Sequence, residues 1–179
     1  MTPDPTHTST VFLFGDDIDT DQIIPAQYLV TGDRNELATH CLEGADPGFA
    51  SAVQQGDVIV AGKNFGCGSS REHASLAILG CGVQAVIATS FARIFFRNAV
   101  NLGLPLLEIP GAADSIAAGA RIEVDVARGS ARNLDTGEEF EAPPESPFTL
   151  EVRRAGGLMN WVAERAGLPG AQDRVGADS

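Results

Sequence analysis

One run concentrates residue types that bind or react: Asn64-Phe65-Gly66-Cys67-Gly68-Ser69-Ser70-Arg71-Glu72-His73. The apolar stretch before it, Val58-Ile59-Val60-Ala61, has the length of a buried strand. The stretch after it, Ala74-Ser75-Leu76-Ala77-Ile78-Leu79, reads as a short apolar helix. The run is therefore predicted to be a strand-to-helix turn. Gly66 and Gly68 let the backbone bend sharply and come close to a ligand. The new helix aims unpaired N–H groups and the positive end of its dipole at the same place. Ser69 and Ser70 add two hydroxyls, and the Arg71 guanidinium can grip a carboxylate through two parallel bonds. The chemistry on offer is capture of an anion with a hydroxyl held beside it.

A purely structural role accounts for the same serines. Ser69 followed by Glu72 is a capping box, and Ser70 is a second candidate cap. Several familiar motifs are excluded. A third glycine is missing for a dinucleotide fingerprint, the phosphate-loop spacing is absent, and the serines do not stand in Gly-x-Ser-x-Gly order. A stand-alone serine hydrolase also lacks an evident His–Asp pair. A second cluster, Asp16, Asp17, Asp19 and Asp21, follows Gly15. Its alternation invites a calcium loop, but Gln22 stands where that loop needs glycine and Tyr28 where it needs glutamate. Turn-forming aspartates remain the local reading. Among His7, His40 and His73, none has the companions a metal site requires. Cys41, Cys67 and Cys81 are odd in number and contain no Cys-x-x-Cys, so neither a disulfide framework nor a complete metal site is indicated.

These residues need elements to position them. From Asp57 the pattern is strand–helix–strand–helix–strand: strands over 58–61, 85–88 and 104–109, helices over 72–79 and 91–100. Crossovers of this kind make parallel pairs, and ligands bind beyond the carboxyl ends of such strands. Residues 64–71 and Thr89-Ser90 both lie at that end. Ser90 is expected to cap its helix, with Phe91, Ile94, Phe95 and Val100 as the buried stripe. Arg93 and Arg97 share a face, either solvated or supporting the anion pocket or a partner surface. Upstream, Val11-Phe12-Leu13-Phe14 reads as a strand, and helices are expected over 35–42 and 49–53. Tyr28-Leu29-Val30 is an apolar patch in an otherwise polar turn region. Strands are expected over 121–126 and 148–152, with Pro143, Pro144 and Pro147 kept out of any sheet interior. Leu158, Trp161, Val162 and Arg165 suggest a closing amphipathic helix. The fold class is α/β, a parallel βαβαβ core with a β-rich remainder. One domain is expected over 11–166, between flexible tails at 1–10 and 167–179.

Composition narrows the partners. Hydrophobic residues make up 44% of 179, enough for a packed core and against disorder. A net charge of -12 argues against nucleic acid and against an anionic membrane surface. No apolar run is long enough to span a bilayer, and the polar start lacks a signal peptide's apolar centre. A cytoplasmic protein is expected.

The run from Asn64 to Ala74 resembles the signature of the swivel domain of the aconitase superfamily. Asp19-Thr20-Asp21-Gln22-Ile23-Ile24-Pro25 resembles the first active-site loop of that family, and Ser90-Phe91-Ala92-Arg93-Ile94-Phe95 its helix after the next strand. The compact form of this domain resembles the 3-isopropylmalate dehydratase small subunits, and the likeness runs from about Val11 to Trp161. The resemblance implies a swivelling β/β/α domain and a hydro-lyase that isomerises a 2-hydroxy diacid by removing and re-adding water, in leucine biosynthesis. It implies a large partner subunit carrying a 4Fe–4S cluster on three cysteines, whose open iron acts as a Lewis acid. This chain alone would bind no cofactor. A surface made for that partner implies self-association when the chain is isolated. Carried over residue by residue, Ser69 would be the base, Arg71 would bind a substrate carboxylate and steady the serine anion, Ser70 and Gly68 would line the substrate, and Asp21 would orient a partner in the site. Cys67 occupies a variable place. Tyr28-Leu29-Val30-Thr31 corresponds to the loop in which relatives that handle an extra carboxylate carry an arginine. Val30 at that place implies an alkyl-substituted malate, with Arg34 four residues on as the competing cation. Homoaconitase and 2,3-dimethylmalate dehydratase small subunits are the near alternatives, and a non-catalytic anion-binding domain the distant one.

Overall fold

The computed structural model describes residues 8–168. Of the tails expected at 1–10 and 167–179, residues 1–7 and 169–179 lie outside the described residues. A seven-stranded sheet organises the chain, in the order β4-β3-β2-β1-β5-β6-β7. The middle of its parallel part is β2 (Val58–Ala61) and β3 (Ala85–Ala88), short apolar runs buried at all four positions. Continuous apolar strands of this kind need cover on both faces, as parallel strands between helices have. They pair in parallel, Val58 against Ala85 and Ala61 against Ala88. On their flanks β1 (Ser9–Leu13) runs parallel to β2, and β4 (Leu106–Glu108) parallel to β3. Direction reverses at β1, whose other edge pairs antiparallel with β5 (Arg121–Asp125). The meander continues through β6 (Ser130–Asn133) and β7 (Glu139–Glu141). β5 alternates buried and exposed as its sequence predicts.

Alternate residues of each strand face opposite ways, which divides the core in two. Ile59, Ala61, Val86 and Ala88 meet the helical layer. That layer holds α1 (Thr20–Ile23), α2 (Arg34–Ala38), α3 (Phe49–Ala52), α4 (Glu72–Gly80) and α5 (Arg93–Leu102). Val58, Val60, Ala85 and Ile87 pack instead with α6 (Ala112–Ser115) and the inner face of the meander, through Ile122, Val124 and Ala131. α4 lies directly on α2. A Cβ placed on Gly80 would stand 2.1 Å from the Arg34 carbonyl oxygen, so only glycine allows this approach.

Several expectations change. Residues 148–152, expected as a strand, lie within α7 (Pro147–Arg154). Ser146 caps this helix, its Oγ accepting from the Thr149 N–H at 3.1 Å, and Pro147 takes the first helical position. Those start signals outweigh the local alternation. The helix expected over 35–42 ends at Ala38 and continues as successive turns. α5 starts at Arg93, so Ser90 does not cap it; the Ser90 Oγ accepts from the Asn64 N–H at 2.9 Å. The buried residues of α5 are Phe95 and Ala99, while Ile94 is 51% exposed. Ser9 and Thr10 belong to β1 and pair with Ile122 and Arg121, inside the span read as a tail. The closing helix is α8 (Leu158–Ala166), capped by left-handed Gly167.

Candidate active site

Three loops leave the carboxyl ends of β1, β2 and β3 side by side, and main-chain hydrogen bonds join them. The Gly62 N–H donates to the Gly15 carbonyl at 3.1 Å, Asp17 to Lys63 at 2.8 Å, Gly66 to Ile18 at 2.7 Å and Thr20 to Cys67 at 2.9 Å. On the other side the Phe65 N–H donates to the Ser90 carbonyl at 3.0 Å, and Ala92 to Phe65 at 2.9 Å. The 64–71 loop is thus the middle strip of three. Gly66, at φ +80°, lies against the Phe95 ring, where a Cβ would stand 2.2 Å from Cγ. Asp17 and Asn64 both adopt left-handed backbone, at φ 55° and 59°, and the Asn64 Nδ2 donates to the Asp17 Oδ1 at 2.8 Å. These are residue types that tolerate this region through local hydrogen bonds.

The aspartate cluster divides by role. Asp16 accepts from the Lys63 N–H at 2.7 Å. Asp19 and Gln22 form a reciprocal capping box that opens α1. That leaves Asp21 on the exposed outer turn of α1, where its carboxylate pairs with the guanidinium of Arg71, 50 residues away. The Arg71 side chain is 17% exposed and that of Asp21 63%. The base of the pair is tied by Thr20, a buried residue whose Oγ1 donates to the Ser69 carbonyl at 3.0 Å. Thr20 was not singled out from sequence; a threonine between two aspartates carries no signal of a contact with a distant loop.

The serines do not cap. α4 opens at Glu72, with Arg71 at the cap position and no side-chain cap bond. The hydroxyls of Ser69 and Ser70 are exposed, and among the described residues neither makes a hydrogen bond. Gly68, at φ +94°, is exposed beside them, and a Cβ placed on it would stand 3.5 Å from the Thr20 Oγ1. The helix start therefore leaves two hydroxyls and a partly shielded guanidinium facing outward together.

The cysteines stand apart from one another in role. Cys67 lies in the loop, and burial together with the charges of Asp17 and Asp19 raises its pKa, which favours the thiol. Cys41 is fully buried behind α2, its thiol pKa pushed well up by burial and then by the neighbouring Cys81. Among the described residues no group of three His, Cys, Asp or Glu converges as a metal site. The cysteines of this chain do not fit an iron–sulfur cluster, since only two of them neighbour each other and Cys67 faces acids.

The 26–31 loop follows α1 in the chain. Ala26–Tyr28 makes one 3-10 turn. Tyr28 turns back onto the body, Leu29 packs against the core, and Val30 projects with 90% exposure. The Thr31 Oγ1 accepts from the Asp33 N–H at 3.1 Å, and Asp33 in turn caps α2. Arg34, Arg93 and Arg97 are exposed. A wide groove of 1530 Å³ lies at the opposite, amino end of the parallel strands, under β5–β7, and none of its lining residues comes from these loops. No helix among the described residues is long and apolar enough to cross a membrane.

Comparison with known proteins places this chain in a family. Residues 30–112 match the Aconitase C-terminal domain. The 3-isopropylmalate dehydratase small subunit of Moorella thermoacetica is 59% identical, over 85% of this chain and 92% of the relative. Small subunit 1 of the same enzyme from Methanopyrus kandleri is 58% identical, over 84% of this chain and 89% of the relative. A crystal structure of 3-isopropylmalate dehydratase from Methanocaldococcus jannaschii superposes with a TM-score of 0.84 at 44% identity, covering 94% of this chain and 98% of that one. With identity above half across nearly the full length of such relatives, the chain belongs to the family of 3-isopropylmalate dehydratase small subunits.

Proposed function

We propose that this chain is the small subunit of a two-subunit hydro-lyase that converts 2-isopropylmalate to 3-isopropylmalate by dehydration and rehydration, a step of leucine biosynthesis. The observation that carries the reading is the outward-facing trio at the start of α4: a Ser69 hydroxyl with no structural duty, beside an Arg71 guanidinium steadied by Asp21. A guanidinium has five N–H donors, and pairing with Asp21 leaves others for a substrate carboxylate. Asp21 fixes the plane of the fork, so that the remaining donors are held in one orientation.

Ser69 then stands where a proton can be taken from the carbon next to that carboxylate and returned after water changes position. An alkoxide at Ser69 requires a field of positive charge, which Arg71 and the unpaired N–H groups at the start of α4 supply. Ser70 and Gly68 line the same strip. The cluster is assigned to the large subunit, because the three cysteines here do not converge on one another. The open form of the site supports a partner as its second wall. Val30 suits an isopropyl group: an apolar side chain gains about 1 to 3 kcal/mol from such burial, whereas a carboxylate facing it would stand unpaired at a cost of several kcal/mol.

The test is reconstitution with the cluster-bearing large subunit from the same source. Turnover of 2-isopropylmalate only when both chains are present is the expected result. A complex that turns over homoaconitate with the higher kcat/KM would replace the alkyl reading with the tricarboxylate one, and Arg34 would become the residue to test.

A further inference from the structure

The loop that carries Val30 is held by two residues with no part in the reaction. The Tyr28 ring stacks on His40 with centroids 3.6 Å apart and planes 8° from parallel. Its hydroxyl donates to Glu43 Oε1 at 3.3 Å, while the other oxygen of Glu43 takes His40 Nδ1 at 2.8 Å. An ionised carboxylate only accepts, so Nδ1 carries the hydrogen of that bond and the imidazole plane is set. Three side chains from two segments therefore form a closed triangle. We propose that His40 and Glu43 are positioning residues, which fix the 26–31 loop and thereby set which alkyl group the site accepts.

The 3-10 turn at Ala26–Tyr28 is too short to hold its own place, and Val30 beyond it touches little of the protein. Its register must come from attachments. The His40 end of the triangle does not drift, because Cys41 and Leu42, the next two residues, are fully buried. The segment is tied further by the Cys81 Sγ donating to the Ala38 carbonyl at 3.7 Å and by the Leu42 N–H donating to the Ile23 carbonyl at 2.7 Å. Behind it α2 rests on α4 at Gly80. The same α4 begins beside Ser69 and Arg71. Loop and anion site are thus referenced to one helix, the first through His40 and the second directly. The clamp itself is half exposed, with His40 at 33% and Glu43 at 39%. It can order a loop without being needed for the fold.

The inference rests on the reading of this loop as the wall facing the substrate's alkyl group. The experiment compares the unsubstituted complex with His40→Ala and His40→Phe, each reconstituted with the large subunit. For His40→Ala, the ratio of kcat/KM between 2-isopropylmalate and 2-methylmalate is expected to fall about tenfold, mainly through KM, with kcat within about twofold. His40→Phe keeps a ring for Tyr28 and should recover most of the ratio. Amide exchange across residues 26–33 should quicken in His40→Ala and not across 58–61 or 85–88, which separates loop release from general destabilisation. A normal unsubstituted enzyme whose ratio does not move in His40→Ala, or a loop whose exchange does not change, overturns the inference. A complex that ignores 2-isopropylmalate even when unsubstituted brings down the reaction assignment itself.

Discussion

Ser69 holds no helix, and this sharpens what its removal tests. A capping serine costs about 1 kcal/mol when replaced by alanine, but α4 opens without a side-chain cap and the Ser69 hydroxyl is exposed. Ser69→Ala is therefore expected to abolish turnover in the reconstituted complex while shifting stability by less than about 0.5 kcal/mol. Kinetics near normal would remove the serine from the chemistry. Two glycines of the same loop should behave differently. Gly66→Ala forces a Cβ to within 2.2 Å of the Phe95 ring at φ +80°, and should cost more than about 2 kcal/mol. Gly68→Ala meets nothing nearer than 3.5 Å and should cost only the left-handed backbone penalty of about 1 to 2 kcal/mol. Denaturant midpoints of the two variants check this; equal losses would contradict the packing account. The residue types in this run point to a candidate anion site because glycine, hydroxyl and guanidinium are informative in a row. The Asp21–Arg71 contact itself was not readable, since no local pattern joins positions 50 apart.

Among the elements, the parallel core was legible because β2 and β3 are continuous apolar runs with helix-length gaps between them. α7 was not. The alternation of Phe148, Leu150 and Val152 fits a strand, while Ser146-Pro147 fits a helix start; burial of Val152 against the body favours the helix. The Tyr28–His40–Glu43 triangle left no periodic trace, because it joins a loop to a turn. Val30→Arg in that loop should shift preference toward a tricarboxylate homologue, read as the ratio of kcat/KM on the two substrates. An unchanged ratio would mean that Val30 does not face the substrate. Beside α7, Glu145 pairs with Arg153 at 2.9 Å, while its second carboxylate oxygen is buried without a partner. Burial raises its pKa, with Arg153 opposing. The native state thus holds the proton more tightly than the unfolded chain. The resulting stability is full below the ordinary glutamate range and is lost as pH rises through the folded value. Glu145→Gln should therefore gain on the unsubstituted protein as pH rises from the ordinary glutamate range, about 4, through the folded value. Parallel denaturation curves at each pH measure this, and a difference that shrinks with pH would reverse the account.

For the whole molecule, the isolated chain should carry neither iron nor sulfide after purification, and stoichiometric iron on it would overturn the division between subunits. Phe148, Met159, Val162 and Leu168, on and beside α7 and α8, are 51%, 66%, 44% and 55% exposed. Exposed apolar side chains of this kind predict an apparent mass by light scattering that rises with concentration, and a strict monomer would count against a sticky surface. The strip of three loops at the strand ends has a separate effect. Its main-chain joins run from backbone N–H to backbone C=O, from Gly62–Gly15 through Thr20–Cys67 to Ala92–Phe65. Such bonds do not depend on which side chains the loops display. The frame can therefore keep its shape while outward positions such as Cys67 and Val30 vary, and a new substrate range is reachable by single substitutions that leave folding intact. Evolvability in this protein is expected to reside in the main chain of its loops, whose bonds can persist while the outward side chains change.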